Sequence, residues 1–413
     1  MTAVSEQCQK SHYDVIATEK IKALWQNYQR TRDYSLQICS TLSDEDIQSQ
    51  SMSDASPLKW HLAHTTWAFE TFILKPSIPN YQPFNPHFEF LFNSYYNAIG
   101  AQYPRANRGL LIRPTRSEVE TYRRSIDKLM KALFDEGLDR ELYNLIELLI
   151  HHEQQHQELM FTDFKHLTSF TPFDYQYFSQ GVKIESNLLP VKSNASIGFS
   201  SGLYNIGSND DSFYFDNEGP RHRVFLEAFA IDSQLVSNRE YLEFIDDGGY
   251  QEPSYWLSEA WYKIKEKSIT HPLYWQNKEN KWLEHTFSGE KEIVPELPVK
   301  HINYFEANAF ASWKGKRLPS EYEWEVAAQS QNNSFNMMEQ LWQWTSSSYN
   351  AYPGFKTASG AIGEYNGKFM VNQYVLRGGS VATPADHIRT TYRNFFYPGA
   401  SWQFTGIRLA ETL

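Results

Sequence analysis

The chain has 413 residues, 41% hydrophobic and 21% charged, which fits a folded globular protein too long for one ordinary core. A formal net charge of −11 argues against a nucleic-acid groove, which would need clustered Lys and Arg. The two cysteines, Cys8 and Cys39, supply no disulfide framework, and neither an apolar signal core nor a membrane-length apolar run is present. A cytoplasmic protein with reduced thiols and no membrane contact is therefore expected.

After a polar stretch at 1–15, Ile21, Leu24, Trp25 and Tyr28 recur at helical spacing. Ser56-Pro57 predicts a helix start with Ser56 as N-cap, and the helix it opens carries Trp60, His64 and Trp67 on one face. A connection over 75–114 is too long for a plain turn, and loops of that length are often functional. The next helix begins near Arg116, with a stripe of Val119, Tyr122, Ile126, Leu129 and Leu133, and Gly137 ends it. A fourth begins near Asp139 with the stripe Leu142, Leu145, Leu149, His152, His156 and Leu159. Together these predict an all-α four-helix bundle over 1–170. Residues 171–198 read as a linker and wrapping segment. From 199 to 413 the texture changes to α+β with much irregular backbone: a β-type run at 223–226, a helix at 306–313, and another opened by a Ser320/Glu323 capping box. Aromatic residues reach 16%, which suits large aromatic cores or a ring-lined pocket.

The strongest local signal is His151-His152-Glu153-Gln154-Gln155-His156. His152 and His156 are one helical turn apart on the core-facing stripe, a spacing that suits two ligands of one metal. Buried imidazoles need partners, and a metal supplies them. A surface pair, or two core histidines bonded to neighbours, would give the same spacing. A third ligand can come from Trp60-His61-Leu62-Ala63-His64-Thr65, where His64 shares its face with Trp60 and Trp67 and His61 competes. His151 is expected to face solvent or the linker. The same residues match the H-E-x-x-H pattern of zinc peptidases, with Glu153 as general base, although no second zinc-peptidase signature follows. A bundle joined to a lectin-like binding module, without metal or catalysis, is a non-enzymatic alternative.

The segments Ser56-Pro57-x-x-Trp60-His61-Leu62-Ala63-His64-Thr65 and His152-Glu153-Gln154-Gln155-His156 resemble those of the ergothioneine sulfoxide synthases. These combine a DinB-like helical bundle with a formylglycine-generating-enzyme-like domain of C-type-lectin type. The second half carries matching motifs: Pro298-Val299, Gly315-Lys316-Arg317-Leu318-Pro319-Ser320-Glu321, Glu323-Trp324-Glu325, Trp344-Thr345-Ser346-Ser347, Arg377-Gly378-Gly379-Ser380 and Gly406-Ile407-Arg408-Leu409-Ala410. No cysteine follows Cys39, so formylglycine-generating chemistry, which uses late cysteines, is not expected.

The resemblance implies an oxygenase that holds Fe(II) through His64, His152 and His156. Three neutral imidazoles in place of the usual two His and a carboxylate leave the site its full positive charge and room for a substrate thiolate. The implied substrates are hercynine, a thiol and O2, with both substrates supplying electrons and no 2-oxoglutarate. Gln155 looks like the residue that hydrogen-bonds the hercynine imidazole. Asn394 and Tyr365 match substrate contacts, and Phe395, Phe396 and Trp402 offer rings to a trimethylammonium group. Arg105 and Arg108 are implied to clamp the thiol substrate's carboxylate. The branch using γ-glutamylcysteine has a Tyr-x-x-Tyr pair and an acidic residue two positions after the Asn; here Ile362 and Phe396 stand in those places. The departure points to L-cysteine as the thiol and to Tyr95 or Tyr96 as proton donor. γ-Glutamylcysteine, a selenoneine-type synthesis and a 5-histidylcysteine sulfoxide synthesis are rival reactions; chains of the last kind usually append a methyltransferase domain, which is not expected after Leu413. The sequence offers no reading of oligomeric state, and a calcium site in the second domain has no position in it.

Overall fold

The computed structural model describes residues 16–171, 176–178, 184–192, 194–209, 212–330 and 336–413; the polar stretch at 1–15, Cys8 included, lies outside the described residues. Four long helices form the bundle: α1 (Thr18–Ile38), α2 (Leu58–Phe69), α3 (Arg116–Glu136) and α4 (Arg140–Thr168). The Asp139 side chain accepts from the Leu142 N–H to start α4, Thr115 and Glu118 form a capping box at α3, and Gly137 closes α3 at φ +96°.

Two expectations are corrected. Ser56 does not cap α2 through its side chain: Pro57 occupies the N-cap, and the Ser56 hydroxyl accepts from Arg108 Nη1 at 2.9 Å. The α3 stripe runs Val119, Tyr122, Arg123, Ile126, Met130 and Phe134, while Leu129 faces outward and Leu133 is half-buried. The i+4 steps to Met130 and Phe134 follow a straight 3.6-residue helix; the i+3 step to Leu129 leaves the face.

All 12 residues of α2 are buried, since it packs against both α3 and α4 and is covered by the short helix Phe88–Phe92 of the long connection. A π-helical turn (Glu70–Leu74) continues it, and the long connection beyond contains a short helix (Phe88–Phe92) and a 3-10 turn (Arg105–Leu110).

The second half has little helix and small sheets. Phe229–Asp232 lies between Ser196–Phe199 and Ala410–Thr412, antiparallel to both, with Ile231 opposite Ile197 and Ala410. A four-stranded sheet runs in the order Asn394–Phe396, Tyr374–Arg377, Trp342–Ser348, Thr405–Gly406. The expected run at 223–226 pairs as His222–Leu226 with Gly202–Ile206, and the expected helix at 306–313 is Tyr304–Trp313, capped by Asn303. Ser320 and Glu323 form their capping box.

One core runs through both halves, with α4 as the shared wall. Glu158 of α4 accepts from Trp342 Nε1 at 2.6 Å, Thr383 Oγ1 at 2.7 Å and Ser380 Oγ at 2.8 Å, all from the second domain. Lys165, also on α4 and fully buried, pairs with Glu185 and lies 2.9 Å from His301 Nε2. No described helix is long and apolar enough to cross a membrane.

Candidate metal centre

His64 of α2 and His152 and His156 of α4 converge, with ligand-capable nitrogens all within 4.8 Å of one another. The ring of His64 lies between Trp60 and Trp67, stacked at 4.6 and 5.6 Å. Its Nδ1–H donates to the Phe92 carbonyl at 2.6 Å, which leaves Nε2 as a lone pair 3.3 Å from His152 Nε2. Burial, and then the neighbouring imidazoles, keep His64 and His156 neutral well below the usual histidine range; burial holds His152 at about 4. Three neutral, buried nitrogen donors at this spacing fit a divalent transition metal, and a structural site would add a fourth protein ligand. Among the described residues the cluster contains these three alone.

The other histidines take different places. His61, one turn before His64, lies 2.8 Å from His156 Nδ1 through its own Nδ1 and 3.1 Å from Asp163 Oδ2 through Nε2, on the outer side of the cluster. His151, expected to face solvent or the linker, does neither: it stacks on Phe213 at 4.0 Å and meets His387 at 2.9 Å, because the second domain covers that side of α4. Glu153, one residue after His152, points into the bundle. It accepts from Ser35 at 2.7 Å, Arg123 at 2.8 Å and Arg32 at 3.0 Å. Burial would raise its carboxyl, but Arg123 and Arg32 outweigh this and hold it at about 2. A carboxylate bound in this way is no general base, so the zinc-peptidase reading loses its catalytic group.

Tyr365 brings its ring 5.7 Å from that of His152, and its phenol donates to Gln155 Oε1. The Gln155 amide donates onward to Tyr392 Oη at 2.6 Å, and Tyr392 reaches His387 Nε2 at 3.0 Å. Tyr95 and Tyr96 place their hydroxyls 3.5 Å apart, with the Tyr96 ring 5.9 Å from Trp67; burial raises both phenols, so both stay protonated. Second-domain groups hold this loop: Glu364 accepts from the N–H groups of Asn97 and Ala98 at 3.0 and 2.8 Å, and Lys368 donates to the Tyr95 carbonyl.

Arg108 lies over Trp60 at 3.4 Å, bonded to the hydroxyls of Ser56 and Ser94, with Nε unpartnered and no carboxylate paired to it among the described residues. Burial, and then Arg105, lower its guanidinium to about 9. Arg105 itself is exposed and donates to the Asp54 carbonyl, so the two arginines do not form one fork here. Phe395 stacks on Tyr349 at 4.0 Å and lies 6.0 Å from Phe369, whose ring is 5.2 Å from Tyr95. Asn394 folds its side chain onto the Phe395 N–H at 2.9 Å, and Phe396 and Trp402 are half-buried. A cavity of about 370 Å³ between α4 and the second domain ends at Tyr365 and is lined by Glu147, Phe213, Phe215, Asp216 and Ile362.

Sequence reasoning missed Asp163, Glu364, Lys368, Tyr392 and His387. Asp163 alone had a local signal, lying two turns beyond His156 on the same face of α4.

The model of the Sulfatase-modifying factor enzyme 1-like domain matches residues 188–341 and 330–413, and that of the DinB superfamily matches 27–160. The chain is 29% identical to the hercynine oxygenase of Mycolicibacterium thermoresistibile, over 89% of this chain and 90% of that protein. Its namesake in Mycolicibacterium smegmatis is 26% identical over 89% and 94%, and that of Mycobacterium tuberculosis 29% over 86% and 91%. The two matched domains, with relatives of this kind along nearly the whole chain, define a two-domain oxidoreductase of the oxygenase type. The chain belongs to the ergothioneine sulfoxide synthase family.

Proposed function

We propose that this enzyme joins the thiol of L-cysteine to carbon 2 of the hercynine imidazole and oxidises the sulfur to a sulfoxide, with Fe(II) held by His64, His152 and His156. The reaction balances without a further reductant. The S–H and C–H bonds break, the C–S and S–O bonds form, and the four electrons released reduce O2, one oxygen going to sulfur and the other to water. Bound iron would supply the cationic centre that accepts the thiolate and activates dioxygen.

The chain's own groups bind and orient. Arg108 receives the cysteine carboxylate, an anion that would satisfy its unpaired guanidinium. The amide of Gln155, its direction set by Tyr365 on one side and Tyr392 on the other, orients the hercynine ring. Phe395 offers an aromatic face to the trimethylammonium, and Phe396, the next residue of the strand, points to the other side of the sheet. Asn394 and Tyr365 contact the rest of hercynine. Tyr95 or Tyr96 donates the proton, because Ile362 offers none and the raised phenols remain protonated. The observation that carries this reading is the group of three neutral imidazoles with an uncompensated guanidinium one tryptophan ring away.

The test is to reconstitute the full chain anaerobically with Fe(II), add hercynine and O2 with either cysteine or γ-glutamylcysteine, and weigh the products. A sulfoxide with cysteine is expected. Product with γ-glutamylcysteine alone would overturn the thiol assignment, and no coupled product with either thiol would overturn the function.

A further inference from the structure

We infer that Asp163 and His61 are positioning residues for the metal: a carboxylate–imidazole pair that fixes His156 in the tautomer able to bind it. The inference rests on the three-imidazole metal reading and concerns groups that touch neither substrate nor metal.

Asp163 and His61 both have side chains only 3% exposed, and no water-filled route is needed to connect them. An ionised carboxylate accepts and cannot donate. Asp163 Oδ2 already accepts the Ser56 N–H at 2.8 Å, and the His61 Nε2 that approaches it at 3.1 Å must therefore carry a hydrogen. A neutral imidazole has one N–H, so His61 Nδ1 is a lone pair. His156 Nδ1, 2.8 Å from it, must then be the donor. That leaves the lone pair of His156 on Nε2. The order carboxylate, imidazole, ligand imidazole extends the outer-shell arrangement seen around metal-bound histidines by one ring.

The same result is reached at His64 by a shorter route, the Phe92 carbonyl at 2.6 Å. Two of the three ligands are thus preset before metal arrives. The pattern also explains why two histidines one turn apart on α2 are both wanted inside: His64 supplies a donor atom, and His61 supplies the direction of another.

The experiment has two arms. In the first, nitrogen-15 NMR of histidine-labelled, metal-free full chain reads the ring tautomers. His156 with a protonated Nδ1 and a bare Nε2 is expected, and the opposite tautomer would overturn the inference whether or not the protein later binds metal. In the second, Co(II) affinity is measured by anaerobic chelator competition for His61→Asn and His61→Gln. The Asn side-chain oxygen falls near the former Nδ1 and keeps an acceptor for His156, whereas Gln reaches toward Asp163 and leaves His156 without one. His61→Gln is expected to weaken Co(II) binding by about 10- to 100-fold and to alter the Co(II) absorption bands, with His61→Asn restoring most of the affinity. Equal affinities in wild type and His61→Gln, or equal loss in both variants, would overturn it. Failure of the wild type to bind Co(II) or Fe(II) would instead defeat the metal reading, and the NMR arm keeps the two failures apart.

Discussion

Replacing Arg108 by Met should move stability and thiol affinity in opposite directions. The guanidinium is 3% exposed and sits at about 9, below the usual arginine range, because burial and then Arg105 disfavour its charge. A drop of that size corresponds to about 5 kcal/mol. The charge also gains about 1–2 kcal/mol from the Trp60 face and about 2 kcal/mol from its hydroxyl partners. The remainder is a net cost of about 1–2 kcal/mol, carried by the ligand-free fold. Its pH dependence follows from the lowered pKa of a base. The cost is fully present below about 9, where the buried group is charged, and fades as pH rises through that value. Arg108→Met keeps an apolar side chain over Trp60 and should stabilise the ligand-free protein by about 1–2 kcal/mol at pH 7 in urea denaturation. It should also remove the group that meets the cysteine carboxylate. Truncating one side of a buried charge pair costs at least about 2 kcal/mol, so the KM for cysteine should rise about thirtyfold or more while that for hercynine holds. An unchanged KM for cysteine, or a variant less stable than wild type, would refute the reasoning.

Tyr95→Phe or Tyr96→Phe should divert turnover from sulfoxide to simple thiol oxidation, read as the ratio of the two products; unchanged ratios in both variants would reject proton delivery by this pair. Glu306 of the second domain offers a separate test of pH linkage. Burial raises its carboxyl to about 7 against bonds from Asn303 and Tyr250. An acid with a raised folded pKa loses stability as pH climbs from its unfolded value, about 4.3, through 7, here by about 4 kcal/mol. Glu306→Gln should flatten that slope relative to wild type in urea titrations at pH 5 and 8, and parallel slopes would refute the assignment.

The histidine face of α4 was legible because its apolar stripe at 3.6-residue spacing passes directly through His152 and His156. The same rule could not choose between His61 and His64, because α2 is buried on every side and has no polar face to orient it. Leu129 was misplaced by a heptad-like count where the helix keeps 3.6 residues per turn. Ser56 read as a cap from its type alone, but its hydroxyl is taken by Arg108, which lies 52 residues away in the chain. The partners of Gln155 and Glu158 were beyond local reading altogether: Tyr392 and Thr383 follow them by 237 and 225 residues, and only the docking of one domain on the other brings them near.

The carboxyl of Glu158 fastens the helical bundle to the second domain. Parting the two halves would exchange three hydrogen bonds for bonds to water, about 0.5–1.5 kcal/mol each, and would expose the apolar surface packed around them. A change at Glu158 is therefore felt on both sides of the seam, and the two halves should melt in one transition rather than two.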